Sequence, residues 1–236
     1  VDDAGNGYAV IRFLPAIDGE DFPFVKMYSH AFKNDKTGKW YIENCRSTIN
    51  ETDPVMEINS ELWNSGIEAN KDLARKQKRQ LKYISNILVV KDSKNPQNEG
   101  KVFLFSYGTK IFNMIENALE PKFEDEKAFN PYDFWDGANF NLKAYMSDKQ
   151  RSYDKSGFAA PAPLFDGDDA ALEKLWAQEY SLQAVIAPDQ FKSYDQLKTR
   201  LQAVQGNAPA QSSAASQGAA VEREFTPPAD KPAATR

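Results

Sequence analysis

The sequence predicts a β-rich α+β protein with peripheral helices. Strand-like stretches rich in β-branched and aromatic residues dominate its first two thirds, while amphipathic helical periods are fewer. With 41% apolar residues in 236, the chain can build a real core in one large domain or two small ones. A mean hydropathy of −0.64 and no long apolar run exclude a helical membrane span.

In chain order, "YAVIRFLP" (8–15) alternates Tyr8, Val10, Arg12 and Leu14 against Ala9, Ile11 and Phe13, and Pro15 ends it. "KWYIENC" (39–45) and "YISNILVVK" (83–91) read as strands on the same grounds. Residues 70–82 read as a helix. "DSKNPQNEG" (92–100) is a loop on its Pro, Asn and Gly, so "KVFLFSYG" (101–108) returns as the second arm of a hairpin. "GTKIFNMIENALE" (108–120) places Ile111, Met114, Ile115 and Leu119 on one helical face, and "FWDGANFNLKAYM" (134–146) supplies another strand. "DGDDAALEKLWAQEY" (166–180) opens with an Asp cluster suited to a helix N-terminus and carries Leu172, Leu175 and Trp176 along one side. In "SYDQLKTRLQAVQG", Ser193 and Gln196 form a capping box, Leu197, Leu201 and Val204 a buried stripe, and Gly206 the stop. Composition then collapses to Ala, Ser, Gln and Pro, so 207–236 is expected to be a flexible tail behind a core spanning 1–206.

Most site chemistries find no support. The N-terminus "VDDAGNGYAV" lacks Met and does not read as a signal peptide; a trimmed fragment is expected. The single cysteine, Cys45, excludes an internal disulfide framework and fits a reducing compartment. His30 is the only histidine, and no G-x-S-x-G elbow accompanies it. "AGNGYAV" opens a strand rather than a helix, which disqualifies it as a dinucleotide fingerprint. Glu124, Asp125, Glu126, Asp133 and Asp136 could hold Mg²⁺ for a nuclease, or simply form a solvated acidic loop.

One pattern stands out against a formal charge of −5: "KDLARKQKRQLKYISNILVV" (71–90) packs six cations into twelve positions before Tyr83. Lys71, Arg75, Lys76, Lys78, Arg79 and Lys82 face only Asp72 as a local acid within that stretch, and on a helix they cannot all point one way. A solvated helix, a basic helix docking an acidic partner and a phosphate-contacting surface all remain open. Phe103, Phe105 and Tyr107 line one face of the next strand, as core or as stacking platform. Rings that stack bases beside cations that track phosphates hold single strands without reading their sequence, and the combination favours that reading. Clustered cations on an otherwise acidic protein restrict such binding to one groove.

Together "DDAGNGYAVIRFLP", "GKWYIENC", "NILVVKD", "NEGKVF", "WDGANFNLK" and "FKSYDQL" resemble, in order, the single-stranded DNA-binding (helix-destabilising) protein family of T-even-type bacteriophages. The resemblance runs from Val1 to about Gly206. It implies an OB-fold barrel with peripheral helices and an inserted zinc-type subdomain at about 28–66. It also implies a non-enzymatic role in phage DNA replication, recombination and repair, beside phage replication and recombination proteins in the cytoplasm of the infected host. Tyr83 matches a family tyrosine at the DNA cleft, Phe105 and Tyr153 fall where the family has tyrosines, and Tyr107 replaces a phenylalanine. Trp63 is set against a further cleft aromatic, while Ile84 takes a tryptophan position. Lys78 and Arg79 match a basic pair, with Arg75, Lys76 and Lys82 around them. Family zinc ligands, one His and three Cys, fall on His30, Cys45, Asp53 and Met56. A carboxylate and a thioether in place of two thiolates make a weak structural site, so no cofactor is expected and 46–62 must hold by packing or be mobile. The family's basic N-terminal arm, used for cooperative self-association, and its acidic C-terminal tail are not visible in this sequence and would belong to a full-length protein.

Overall fold

The computed structural model describes residues 1–148 and 150–206; the tail expected at 207–236 lies outside the described residues. Eight strands make the sheet: β1 (Gly7–Phe13), β2 (Val25–Lys33), β3 (Trp40–Asn44), β4 (Gln80–Lys91), β5 (Val102–Tyr107), β6 (Phe140–Ser147), β7 (Gln150–Ser152) and β8 (Gly157–Phe158). Six helices accompany them: α1 (Pro54–Asn64), α2 (Glu68–Lys76), α3 (Thr109–Leu119), α4 (Asp169–Trp176), α5 (Leu182–Val185) and α6 (Tyr194–Gln205). Their strand order is β3-β2-β4-β1-β6-β7, with β5 also on β4 and β8 also on β6. Every ladder is antiparallel.

The long strand β4 makes this geometry possible. Its first residues pair with β2 (Val25↔Ile84, Ser29↔Gln80), its later ones with β1 (Phe13↔Ile87, Ile11↔Val89), and β5 lies along its other side. A register shift between Val10 and Ile11 marks a bulge, the device that bends a strand and increases its twist. The result is a curled antiparallel sheet in a mixed α+β protein.

Alternation along these strands supplies two cores. Ile11, Phe13, Ile87, Val89 and Phe140, with Tyr83 and Tyr107, pack against Ile111, Phe112 and Ile115 of α3. Across the sheet, Leu14, Leu88 and Val102 meet Leu172 and Leu175 of α4. Each such side chain removed from water contributes about 1.5–3 kcal/mol. Beyond them, α6 seats Leu197, Leu201 and Val204 on Phe32, Tyr41 and Val55, joining β2, β3 and α1.

Several expected boundaries move. The helix expected over 70–82 stops at Lys76, because Gln77 takes a non-helical conformation and β4 claims Gln80, Leu81 and Lys82 for its pairing with β2. Of the stretch expected as a strand over 134–146, only residues 140–146 join the sheet, within β6. Residues ahead of it form turns clamped by Arg12, 1% exposed, which donates to the carbonyls of Asp133 (2.8 Å) and Ala162 (3.1 Å). The helix expected over 166–180 shortens to α4, capped by the Asp168 side chain, which accepts from the amides of Ala170 and Ala171. Within 46–62 the chain folds as α1, where Asp53 caps and Pro54 opens the helix. No described helix is long and apolar enough to cross a membrane.

Candidate nucleic-acid interface

The basic block is divided by the α2–β4 junction. On α2, Arg75 binds Glu68 (2.8 Å) and Asp72 (2.5 Å) and stands 5.3 Å from the ring of Trp63, itself 49% exposed. Lys71 reaches Glu68 at 3.5 Å, and Lys76 reaches Asp35 at 2.8 Å. Three of the six cations are therefore already matched by carboxylates, two of which, Glu68 and Asp35, lie outside the block. Arg79 stacks over Tyr28 at 4.0 Å and donates to the Ser47 hydroxyl. Lys78, in the junction, and Lys82, on β4, are exposed and make no ion pair among the described residues.

The β4–β5 register sets Tyr83 opposite Tyr107 and Ser85 opposite Phe105, so their rings share one face. They form a ladder: Phe112 on Tyr83 (3.7 Å between centroids, 5° between planes), Tyr83 beside Tyr107 (5.9 Å, 19°), and Tyr107 beside Phe105 (5.5 Å, 21°). Tyr83 and Tyr107, expected at the cleft, are 5% and 3% exposed and belong to the core, because α3 covers that part of the face. The Tyr107 hydroxyl hydrogen-bonds with Ser85 (2.8 Å) and Tyr132 (3.3 Å). Burial, the largest influence on both phenols, raises their pKa above the usual value. Phe105 and Tyr153 are only half-buried.

The ladder ends at a cavity of about 350 Å³ that gathers Lys82, Phe105, Tyr107 and Tyr153, with Gln80 and Ser106 among its other walls. Gly108 also lines it and opens α3, whose first turn has no side-chain cap. Free amides at that end, together with Lys82, favour an anion. Sequence reading missed Lys110, exposed in the first turn of α3 with Nζ 3.5 Å from the Ser152 hydroxyl. It also missed Tyr28 on β2, for which alternation in "VKMYSHAFK" is the available signal. Trp63, Arg75 and Lys76 are grouped on α1 and α2, outside the lining of this cavity.

His30, Cys45 and Asp53 are buried with donor atoms all within 4.8 Å of one another, close enough to share a metal ion. Met56 Sδ lies 3.6 Å from Cys45 Sγ. A structural zinc closes its shell with four nitrogen or sulfur ligands. Here Asp53 already accepts from the amides of Val55 (2.9 Å), Met56 (3.3 Å) and Arg46 (3.2 Å), and the Arg79 guanidinium stands 3.8 Å from Met56 Sδ. With Met56 beside it, the set offers one thiol where Cys-containing structural zinc shells hold two or more. His30 Nε2 faces Asp53 at 3.5 Å, and Nδ1 shares a hydrogen bond with the Gln77 carbonyl at 2.9 Å. Burial pulls the His30 pKa down, but Asp53 and Cys45 outweigh it and raise it to about 9. Burial likewise acts to raise Asp53, and His30 with the backbone amides holds it below the usual carboxylate range.

Among the described residues, the carboxylates of 124–136 form no group of three whose donor atoms are close enough to share a metal ion. The His30 cluster is the metal-capable group among the described residues, and Asp133 spends Oδ1 on the amides of Trp135 (2.7 Å) and Asp136 (2.8 Å).

A curled antiparallel sheet that brings aromatic rings and one exposed lysine, Lys82, to a cavity is an arrangement suited to nucleic-acid binding. The chain belongs to the family described as gp32 DNA binding protein like, whose model matches residues 5–205. It is 40% identical over 216 residues to the single-stranded DNA-binding proteins of Enterobacteria phages T2 and T4, covering 88% of this chain and 69% of each relative. The single-stranded DNA-binding protein of Escherichia phage SV14 is 51% identical over 69 residues, 28% of this chain and 59% of that relative.

Proposed function

We propose that the chain binds single-stranded DNA with little regard to sequence, through base stacking on Phe105 and Tyr153 and phosphate contacts from Lys78, Lys82 and Lys110. The observation that carries this reading is the meeting of Lys82 with Phe105, Tyr107 and Tyr153 at one cavity. Tyr83 and Tyr107 support the platform from within. Arg79 on Tyr28 and the Arg75–Trp63 pair extend a cationic, aromatic surface toward α1 and α2. The curled sheet is read as an OB-type barrel, with the region 28–66 as the family's zinc-type insert held without zinc. The module acts without catalysis in phage DNA replication, recombination and repair, beside other phage proteins in the host cytoplasm. Titration with labelled oligo-dT, mixed-sequence single strands and duplex in Mg²⁺ buffer tests this. Equal affinity for both single strands, weaker binding to duplex and intact DNA are expected. Preference for duplex would refute the reading, and cleavage would favour the nuclease alternative.

A further inference from the structure

The outermost strand of the sheet beyond β2 is β3. The Asn34 amide donates to the Lys39 carbonyl at 2.9 Å, and the Cys45 amide to the Tyr28 carbonyl at 2.8 Å. Hydrogen-bonded positions alternate in an antiparallel pair, so Tyr41 and Glu43 turn their backbone groups toward β2. Trp40, Ile42 and Asn44 turn theirs outward, where no strand pairs with them among the described residues. The side chains of Trp40 and Ile42 are 54% and 60% exposed. An open edge bearing apolar side chains and no proline is the arrangement proteins otherwise protect, and the one charge on β3, Glu43, faces inward and is matched by Lys192 and Arg200.

We propose that this edge is a docking site for an extended acidic segment of a partner protein, which adds to β3 as a further strand. A groove of about 840 Å³ runs beside β3, with Lys39 and Trp40 on one wall and Gln196, Thr199 and Ala203 of α6 on the other. A strand laid between a sheet edge and a helix is a recurring peptide-recognition mode, in which main-chain bonds give affinity and alternate side chains give selectivity. Charge decides the occupant. Lys39, Lys192 and Arg200 line the groove with Asp195, and with Glu43 of β3 counted the cations outnumber the carboxylates three to two. Lys192 and Arg200 share Glu43 at 2.6 Å each, and Lys39 donates to the Ala203 carbonyl at 3.2 Å without an ion pair among the described residues. A second copy of the same edge would bring these cations together. An acidic segment with apolar residues at alternate positions would match them and cover Trp40 and Ile42.

The test uses the full chain and a fluorescein-labelled peptide alternating valine with aspartate or glutamate, followed by anisotropy. The control peptide carries N-methyl groups at alternate residues and cannot form a ladder. The first peptide is expected to bind about tenfold or more tightly than the control, the equivalent of one or two lost hydrogen bonds. Ile42→Pro removes an outward amide that β2 does not use, so it should abolish that difference while oligo-dT binding and melting temperature stay unchanged. Lys39→Glu should weaken the acidic peptide. Equal binding of both peptides, or none up to millimolar concentration, would overturn the proposal. Displacement of the peptide by oligo-dT would assign the groove to nucleic acid and overturn it equally. Comparing the two peptides requires no variant, so a misfolded Ile42→Pro chain leaves the test standing.

Discussion

Cutting the ladder rings to alanine one at a time separates groove from core. Tyr83 and Tyr107 are 5% and 3% exposed, and truncating a buried ring costs about 3–5 kcal/mol. At Tyr107 the loss also strips Ser85 and Tyr132 of a hydrogen-bond partner. For a chain of this size each kcal/mol shifts the melting temperature by roughly 2–4 °C, so either variant should melt roughly 6–20 °C earlier. Phe105 and Tyr153 are half-buried at the cavity rim. Their stacking should contribute about 1–3 kcal/mol of affinity each, a loss of about fivefold to 150-fold in Kd on truncation, with a smaller thermal shift. Circular dichroism melts and oligo-dT anisotropy at a temperature where every variant is folded give both quantities from one mutant set. If Tyr83→Ala or Tyr107→Ala melts with the parent chain yet loses DNA, the division between core and rim is wrong. If Phe105→Ala and Tyr153→Ala both bind normally, the groove lies elsewhere.

Because Lys78 and Lys82 make no ion pair among the described residues, removing both should make the slope of log K against log salt shallower by about 1.4, at about 0.7 per phosphate contact. Removing Arg75 and Lys76, already matched by Glu68, Asp72 and Asp35, should change it less; an equal change would mean those pairs open on binding. If the region 28–66 is held without zinc, as proposed, the melting temperature should be the same with and without EDTA. Stoichiometric zinc by elemental analysis, lost together with stability, would contradict this. Glu179 has both carboxylate oxygens buried without a hydrogen-bond partner, and burial first, then Glu20, pushes its pKa from an ordinary 4.5 up to about 8. Between those values the folded chain holds a proton that the unfolded chain has released, so stability falls as pH rises, by about 1.4 kcal/mol per unit. Glu179→Gln should lose this slope and melt higher at pH 8; parallel pH profiles of the two chains would show that Glu179 is not protonated in the fold.

Local signals are legible wherever the physical cause is local. The Ser193–Gln196 capping box and the left-handed Gly206 that ends α6 lie within a few residues of the groups they satisfy. The β4–β5 hairpin follows from alternation on both sides of a Pro- and Gly-containing loop, and that alternation by itself sets Phe105 and Tyr107 on one face. Likewise, the clustering of cations ahead of Tyr83, together with the order of the matched segments, is enough to point to the family. Alternation names a face, however, and not what covers it.

That second question belongs to the tertiary structure. Tyr83 is a core ring because Phe112, 29 positions further along the chain, lies on it at 3.7 Å; Tyr153 stays half-buried at the cavity it shares with Lys82 and Phe105. The charge of the basic block is countable from the sequence, but Lys76 is matched by Asp35, 41 residues away, and Arg79 is held by Tyr28 and Ser47. The sequence alone determined which residue types this protein would spend on binding and roughly where along the chain they fall. Which of them face solvent as free cations and open rings was decided only when distant segments met, because burial and ion pairing depend on proximity in space and no local pattern encodes that proximity.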